Sequence, residues 1–179
     1  MSDQTHDAVA MISSKIRAIP DYPKPGITFR DITPLLKDGD AFSKCIDLLA
    51  ASISEYQFDY ISGIEARGFI IASALAYKLG KGFIPIRKKG KLPFEKISKD
   101  YKLEYGTETI EMHTDSVEAG RNVLVVDDLL ATGGTASTAA ELIKKLGANV
   151  AGFAFIVELS ALNGRSRLGN HRISSLIKY

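Results

Sequence analysis

Two adjacent carboxylates, Asp127 and Asp128, stand at the end of an apolar run and lead into a short segment rich in glycine and threonine. Residues 123–135 read Val-Leu-Val-Val-Asp-Asp-Leu-Leu-Ala-Thr-Gly-Gly-Thr. A buried strand of this kind delivers its last side chains to the carboxyl edge of an α/β sheet, where open sheets bind ligands. Gly133 and Gly134 allow positive φ and close approach of the backbone to a ligand. A turn that opens a helix also leaves N–H groups unpaired, and the helix dipole favours negative charge there. Ala131, Thr132, Gly133, Gly134 and Thr135 are therefore the candidate cradle for an anion, with Asp127 and Asp128 facing something hydroxylated beside it. Phosphate below and a diol above describe a ribose 5-phosphate. The bland alternative, two acids capping a solvated turn, fits poorly with the four apolar residues that precede them. The chain has no GxxxxGK[ST] and no GxGxxG, so the cradle is neither a P-loop nor a dinucleotide fingerprint.

Cations are the natural complement. Arg67 stands at a predicted helix start, where the dipole disfavours a positive side chain, and that placement suits a residue facing an anion. Arg87, Lys88 and Lys91 open a lysine-rich segment that, taken alone, solvation explains as well as binding does. Cys45 is the single cysteine and sits among apolar residues, which excludes a disulfide framework and a paired-cysteine metal site. His6, His113 and His171 are far apart, lack HExxH spacing and read as surface or strand-edge residues. Lys plus Arg number 23 against 21 Asp plus Glu, a net charge of +2 that excludes a strongly basic nucleic-acid binder but leaves room for a local cationic pocket. No stretch approaches the roughly 18 apolar residues of a membrane span. The first residues also lack a secretory pattern, so the expectation is a cytoplasmic protein with no membrane or nucleic-acid partner.

These groups need a scaffold, and 179 residues supply one domain over residues 1–179 with no need of disulfides. Residues 7–19 carry Ala8, Met11, Ile12, Ile16 and Ile19 at helical spacing up to Pro20. Residues 20–26 are proline-rich and cannot be helix or central strand. Residues 40–54 form a second amphipathic helix. Beyond it, strands at 60–64, 83–86, 109–113, 122–126 and 150–157 alternate with helices at 69–79 and 135–146, and a closing strand is expected near 174–178. Such alternation implies a mostly parallel sheet with helices on both faces. Residues 87–106 are polar, broken by Gly90, Pro93 and Gly106, and read as an irregular mobile lid between core strands.

With these residues in place, the chain resembles the type I phosphoribosyltransferases, and in its remaining blocks the adenine phosphoribosyltransferase branch. The likeness runs from about residue 16 to 159. It is carried by residues 23–34 (Pro-Lys-Pro-Gly-Ile-Thr-Phe-Arg-Asp-Ile-Thr-Pro), 63–69, 87–93, 103–106 and the 127–135 loop, five blocks in order. The resemblance implies a Rossmann-like fold with a small hood at about 20–36 over the base site and a lid at about 87–106. It implies that residues 131–135 hold the 5-phosphate and that Asp127 and Asp128 engage the ribose hydroxyls. Glu65, Ala66, Arg67 and Gly68 match the family's pyrophosphate loop, which often contains a cis non-proline peptide. Arg87, Lys88 and Lys91 match a cationic cluster that meets the pyrophosphate, in the family partly across a homodimer interface. Glu104 and Tyr105 match the tip of the catalytic flap. A purine would lie between Phe29 and Leu129, with the backbone near Thr28 and Arg30 reading its edge. Thr28 departs from the pattern, since an aliphatic residue is usual there.

The activity implied is transfer of a phosphoribosyl group from phosphoribosyl pyrophosphate (PRPP) to adenine. Glu104, Asp127, Asp128 and Arg67 are the catalytic candidates, and Glu104 is open to either proton exchange with the purine or simple positioning. Mg²⁺ is implied as the cofactor, carried mainly on substrate oxygens with no direct protein ligand. Two other readings remain at this point: a xanthine or hypoxanthine-guanine phosphoribosyltransferase, and a non-catalytic sensor of PRPP or purines on the same fold.

Overall fold

The structure, a computed structural model, describes residues 3–103 and 106–179; the flap-tip candidates Glu104 and Tyr105 lie outside the described residues. Its centre is a seven-stranded sheet in the order β5-β6-β4-β3-β7-β8-β9. The strands are β3 (Tyr60–Ile64), β4 (Gly82–Lys88), β5 (Lys96–Leu103), β6 (Gly106–His113), β7 (Asn122–Leu130), β8 (Asn149–Glu158) and β9 (Ile173–Lys178). The block β4-β3-β7-β8-β9 is parallel, and β6 and β5 add to it antiparallel. Two further strands, β1 (Arg17–Ile19) and β2 (Phe29–Asp31), pair antiparallel as a separate ribbon, Ile19 opposite Phe29.

The helices divide between the faces. α1 (Asp3–Ser14), α2 (Thr33–Lys37), α3 (Gly39–Ser52) and α4 (Arg67–Leu79) share one core, in which Ile12, Leu35, Leu49 and Ile71 pack on Ile61, Leu124 and Ile156. α5 (Gly134–Lys145) covers the other face, where Ala139, Leu142 and Ile143 meet Val123, Val125 and Phe155. Up to Val126, even and odd residues of β7 thus feed opposite cores, the alternation expected of a strand buried on both sides; past the two aspartates the parity reverses, with Leu129 on the first core and Leu130 in the second. Cys45 is fully buried and its thiol is pushed up to about 12 by that burial, consistent with an inert core residue. Among the described residues no helix is long and apolar enough to cross a membrane.

The connections locate the site. From β3 the chain passes through α4 to β4 on one side; from the neighbouring β7 it passes through α5 to β8 on the other. Such a reversal opens a crevice beyond the carboxyl ends of the two central strands. The N-termini of α4 and α5 flank it from opposite faces.

Three sequence expectations are corrected. The helix expected over 7–19 ends at Ser14, and Arg17–Ile19 is a strand; the apolar spacing of Ile16 and Ile19 serves either state, and pairing with β2 decides it. The strand expected to end at 126 runs to Leu130, so both aspartates belong to it. The segment from Arg87 is largely regular among its described residues: β4 extends to Lys88, Gly90 makes a turn at φ 79°, and β5 pairs with β6. Within β5, Ile97 and Tyr101 pack on the α5-side core, while Lys99 between them reaches Glu141 of α5. That lysine breaks the apolar alternation that would have revealed the strand. An edge rich in lysine also discourages pairing with another sheet.

Candidate active site

A cavity of about 920 Å³ occupies the crevice between β3 and β7. Of the candidates raised from the sequence, Phe29, Glu65, Ala66, Arg67, Lys88, Asp127, Asp128, Ala131, Thr132 and Thr135 line it. Gly133 and Gly134 line a niche of about 70 Å³ within the turn. Gly133 takes φ 79° and caps α5, so it makes the left-handed turn for which a glycine is suited, while Gly134 is already the first residue of the helix. The Glu65–Ala66 peptide is cis.

The two carboxylates differ. Asp127 Oδ1 accepts the Asp128 N–H at 2.9 Å and lies against Gly68, where an added Cβ would come within 2.7 Å of that oxygen. Gly68 is thus a spacing residue behind the site, with its backbone against Asp127. Asp128 is 3% exposed, and its Oδ2 sits 3.0 Å from Arg67 Nε. The pair is poorly aligned, and this buried oxygen accepts no hydrogen bond among the described residues. Burial raises the proton affinity of both acids; the Asp128 charge adds to the rise at Asp127, and Arg67 opposes it at Asp128. Arg67 also donates from Nη1 to the Arg30 carbonyl at 3.5 Å, and its guanidinium lies 5.0 Å from the centre of the Phe29 ring. One cation therefore links the carboxylate to the β1–β2 ribbon.

Glu65 gathers the other cations. Arg87 donates to it from Nη2 at 3.2 Å, Lys91 Nζ at 3.2 Å and the Lys88 N–H at 3.0 Å. Burial pushes the Glu65 carboxyl upward, but these donors outweigh it and bring it down to about 2. Arg87 and Lys91 are thus held on Glu65 and do not line the cavity themselves. Thr28 is exposed and outside the lining, while Arg30 points its guanidinium over the Tyr179 ring, 3.7 Å from its centre. Leu129 does not reach the main cavity with Phe29; it packs toward the core under α3 and α4 and borders the small niche. Ile27, Ile64 and Leu162 supply the apolar lining that Leu129 does not.

Three lining residues gave no signal in the sequence, Tyr101, Glu108 and Leu162, whereas Pro23, Lys24, Ile27 and Ile64 fall within the 23–34 and 63–69 blocks without having been singled out. Tyr101 and Glu108 are cross-strand partners in the β5–β6 hairpin, legible only once that hairpin is assigned. Leu162 ends the first of two short 3-10 turns, Ser160–Leu162 and Gly164–Leu168, inside an unassigned tail. That tail braces the cradle. An added Cβ on Gly133 would run into the Gly164 carbonyl, and one on Gly164 into the Ala131 carbonyl, so the two backbones pack directly. Beside Gly164, Arg165 grips Glu158 with two hydrogen bonds of 2.7 Å, and Ser175 adds a third at 2.5 Å.

Gly164→Ala should push the 131–134 turn away from its brace. Overpacking of this kind costs about 1–3 kcal/mol of stability. The expected signature is a loss of phosphate-ester affinity of about tenfold or more in calorimetry, with the fold retained by circular dichroism. A second outcome concerns acid. Because the folded-state value of Glu65 lies below its ordinary 4.5, its stabilising effect is complete above about pH 4.5 and is lost as pH falls toward about 2. Glu65→Gln should flatten the decline of melting temperature across that window.

A phosphoribosyl transferase domain model matches residues 33–175 of the chain. The adenine phosphoribosyltransferase of Thermotoga neapolitana is 56% identical over 164 residues, spanning 92% of this chain and 96% of that protein. A crystal structure of adenine phosphoribosyltransferase from Thermoanaerobacter pseudethanolicus superposes with a TM-score of 0.93 at 50% identity, over 96% of this chain and 99% of that one. The Saccharomyces cerevisiae enzyme, complexed with an imino-altritol bisphosphate and adenine, gives a TM-score of 0.89 at 39% identity, over 96% and 99% of the two chains. A cradle, a carboxylate pair and a ribbon over one crevice, in a chain this similar end to end, place it in the phosphoribosyltransferase family, and the chain belongs to the adenine phosphoribosyltransferases within it.

Proposed function

We propose that the chain transfers the phosphoribosyl group of PRPP to N9 of adenine, giving AMP and pyrophosphate. The observation that carries this reading is the cradle, with the Asp127–Asp128 pair beside it and Arg67 across the crevice. Residues 131–135 take the 5-phosphate on backbone N–H groups and the Thr132 and Thr135 hydroxyls. Departure of pyrophosphate from the anomeric carbon builds positive charge on the ribose, and carboxylates fixed nearby stabilise it without reorganising. The leaving anion meets Arg67 and Lys88 in the cavity, with Arg87 and Lys91 behind them on Glu65.

The purine lies against Phe29 under the hood formed by β1, β2 and their connection, with Ile27 and Leu162 as further apolar contacts. Main-chain groups at Thr28 and Arg30 pair with adenine's N1 and exocyclic amine, and hypoxanthine is rejected because it leaves them unpaired. The β5–β6 hairpin acts as the lid that excludes water from the activated sugar. Mg²⁺ is part of this reading as an ion carried by PRPP: Asp127 and Asp128 are the carboxylates of the cavity that would stand beside it, and it would supply charge neutralisation to the leaving pyrophosphate. A homodimer working in the cytoplasm is part of the same reading. Its support is an apolar strip on α4, where Ile70 and Tyr77 are 45% and 92% exposed one heptad apart.

The test is incubation with PRPP, Mg²⁺ and adenine, hypoxanthine, guanine or xanthine in turn, following nucleotide formation. AMP from adenine alone is expected. Product from another purine reassigns the base, and no product from any of them leaves a binding protein on the same fold. Glu104→Gln should lower turnover far more than PRPP affinity; unchanged turnover removes Glu104 from the chemistry.

A further inference from the structure

The Lys88 ammonium projects into the cavity from the end of β4, and it is already engaged. Glu108 of β6 holds it, Nζ to Oε1, at 3.2 Å. The second oxygen of the same carboxylate accepts the Tyr101 hydroxyl at 2.6 Å. All three side chains line the cavity, and Tyr101 and Glu108 face each other across the hairpin. The result is a negative group seated where two donors would otherwise meet an incoming anion. The electrostatics agree with the geometry. The bond from Tyr101 lowers the Glu108 carboxyl despite its partial burial, and burial together with Glu108 pushes the Tyr101 hydroxyl up to about 12. At neutral pH Glu108 is therefore a carboxylate and Tyr101 a neutral phenol.

We propose that Glu108 is a positioning residue for PRPP: it stands in for the substrate's anionic group on Lys88, and the substrate binds by displacing it. This rests on the phosphoribosyl-transfer reading of the cavity. Glu108 is not consumed and does not touch the reacting bond; it acts through Lys88. Its carboxylate keeps the Lys88 ammonium and the lid hairpin in register while the cavity is empty, through one contact to β4 and one across β5. The same carboxylate competes with the pyrophosphate for Lys88, so it weakens PRPP binding in exchange for a prearranged cation. The Lys88 and Glu108 side chains are 51% and 36% exposed, so the bond between them is of the weak, solvent-screened kind that a multiply charged ligand can break.

Glu108→Gln is the discriminating variant, because an amide oxygen still accepts from Tyr101 while the charge that holds Lys88 is gone. Calorimetry with PRPP should show a dissociation constant about two- to five-fold lower than the wild type, the range for releasing an exposed ion pair. The same shift should appear in KM for PRPP and not in KM for adenine. In a Lys88→Met background, adding Glu108→Gln should change PRPP affinity by less than the single change does, since the two residues act as a pair. Unaltered or weaker PRPP binding by Glu108→Gln overturns the inference. An equal tightening with and without Lys88 also overturns it, because the carboxylate would then act only as diffuse repulsion. The wild type separates the two levels. Failure to form nucleotide from any purine sinks the reading of the cavity, and this inference with it. AMP formation with no tightening in Glu108→Gln sinks this inference alone.

Discussion

Placing two neighbouring carboxylates at the buried end of a central strand is the electrostatic constraint around which the molecule is arranged. Water is largely excluded there, and a single arginine faces the pair. Isolated charge in such a place is costly, and the cost appears as raised proton affinity and as an Asp128 oxygen that accepts no hydrogen bond among the described residues. The pair is thereby open to a further donor. Hydroxyl groups brought beside these acids would satisfy what the protein leaves open, and a developing cation would find the field already in place.

The remaining cations follow the same rule. Arg87 and Lys91 rest on Glu65, and Lys88 rests on Glu108. On the phosphoribosyl-transfer reading, a pocket that receives a polyanion is in this way internally neutralised by its own carboxylates. The arginines and lysines then need not repel one another or fold away into solvent. The β4 turn that carries them is pinned as well, because the Gly90 N–H donates to the buried Glu111 of β6 at 3.0 Å. Anion recognition is thus prepared by carboxylates as much as by bases.

Much of this was legible in the sequence, and the omissions have physical causes. The β3 limits match at both ends because five apolar or small residues between turn signals have no competing helical reading. The Asp127–Thr135 segment was legible because backbone geometry, not side-chain packing, defines an anion cradle, and glycine spacing records that geometry. The β5 strand was hidden because one of its inward positions, Lys99, is satisfied by an ion pair with Glu141 in place of burial. Leu129, expected opposite Phe29, packs its partly buried side chain against the α3–α4 side of the core and borders the niche in the turn, a placement that no local pattern in the sequence records. The tail was unreadable for a related reason. Gly164 and Arg165 act through contacts with residues 131–133 and with Glu158, and nothing local in sequence announces either.

That tail also joins the two walls of the crevice. Residue 179 lends its ring to Arg30 of the hood, its carbonyl to the Ser160 N–H and its own N–H to the Glu158 carbonyl. The Glu158 side chain meanwhile secures Arg165 beneath the cradle. One residue thus couples hood and cradle, so a displacement of either wall is carried to the other through the tail.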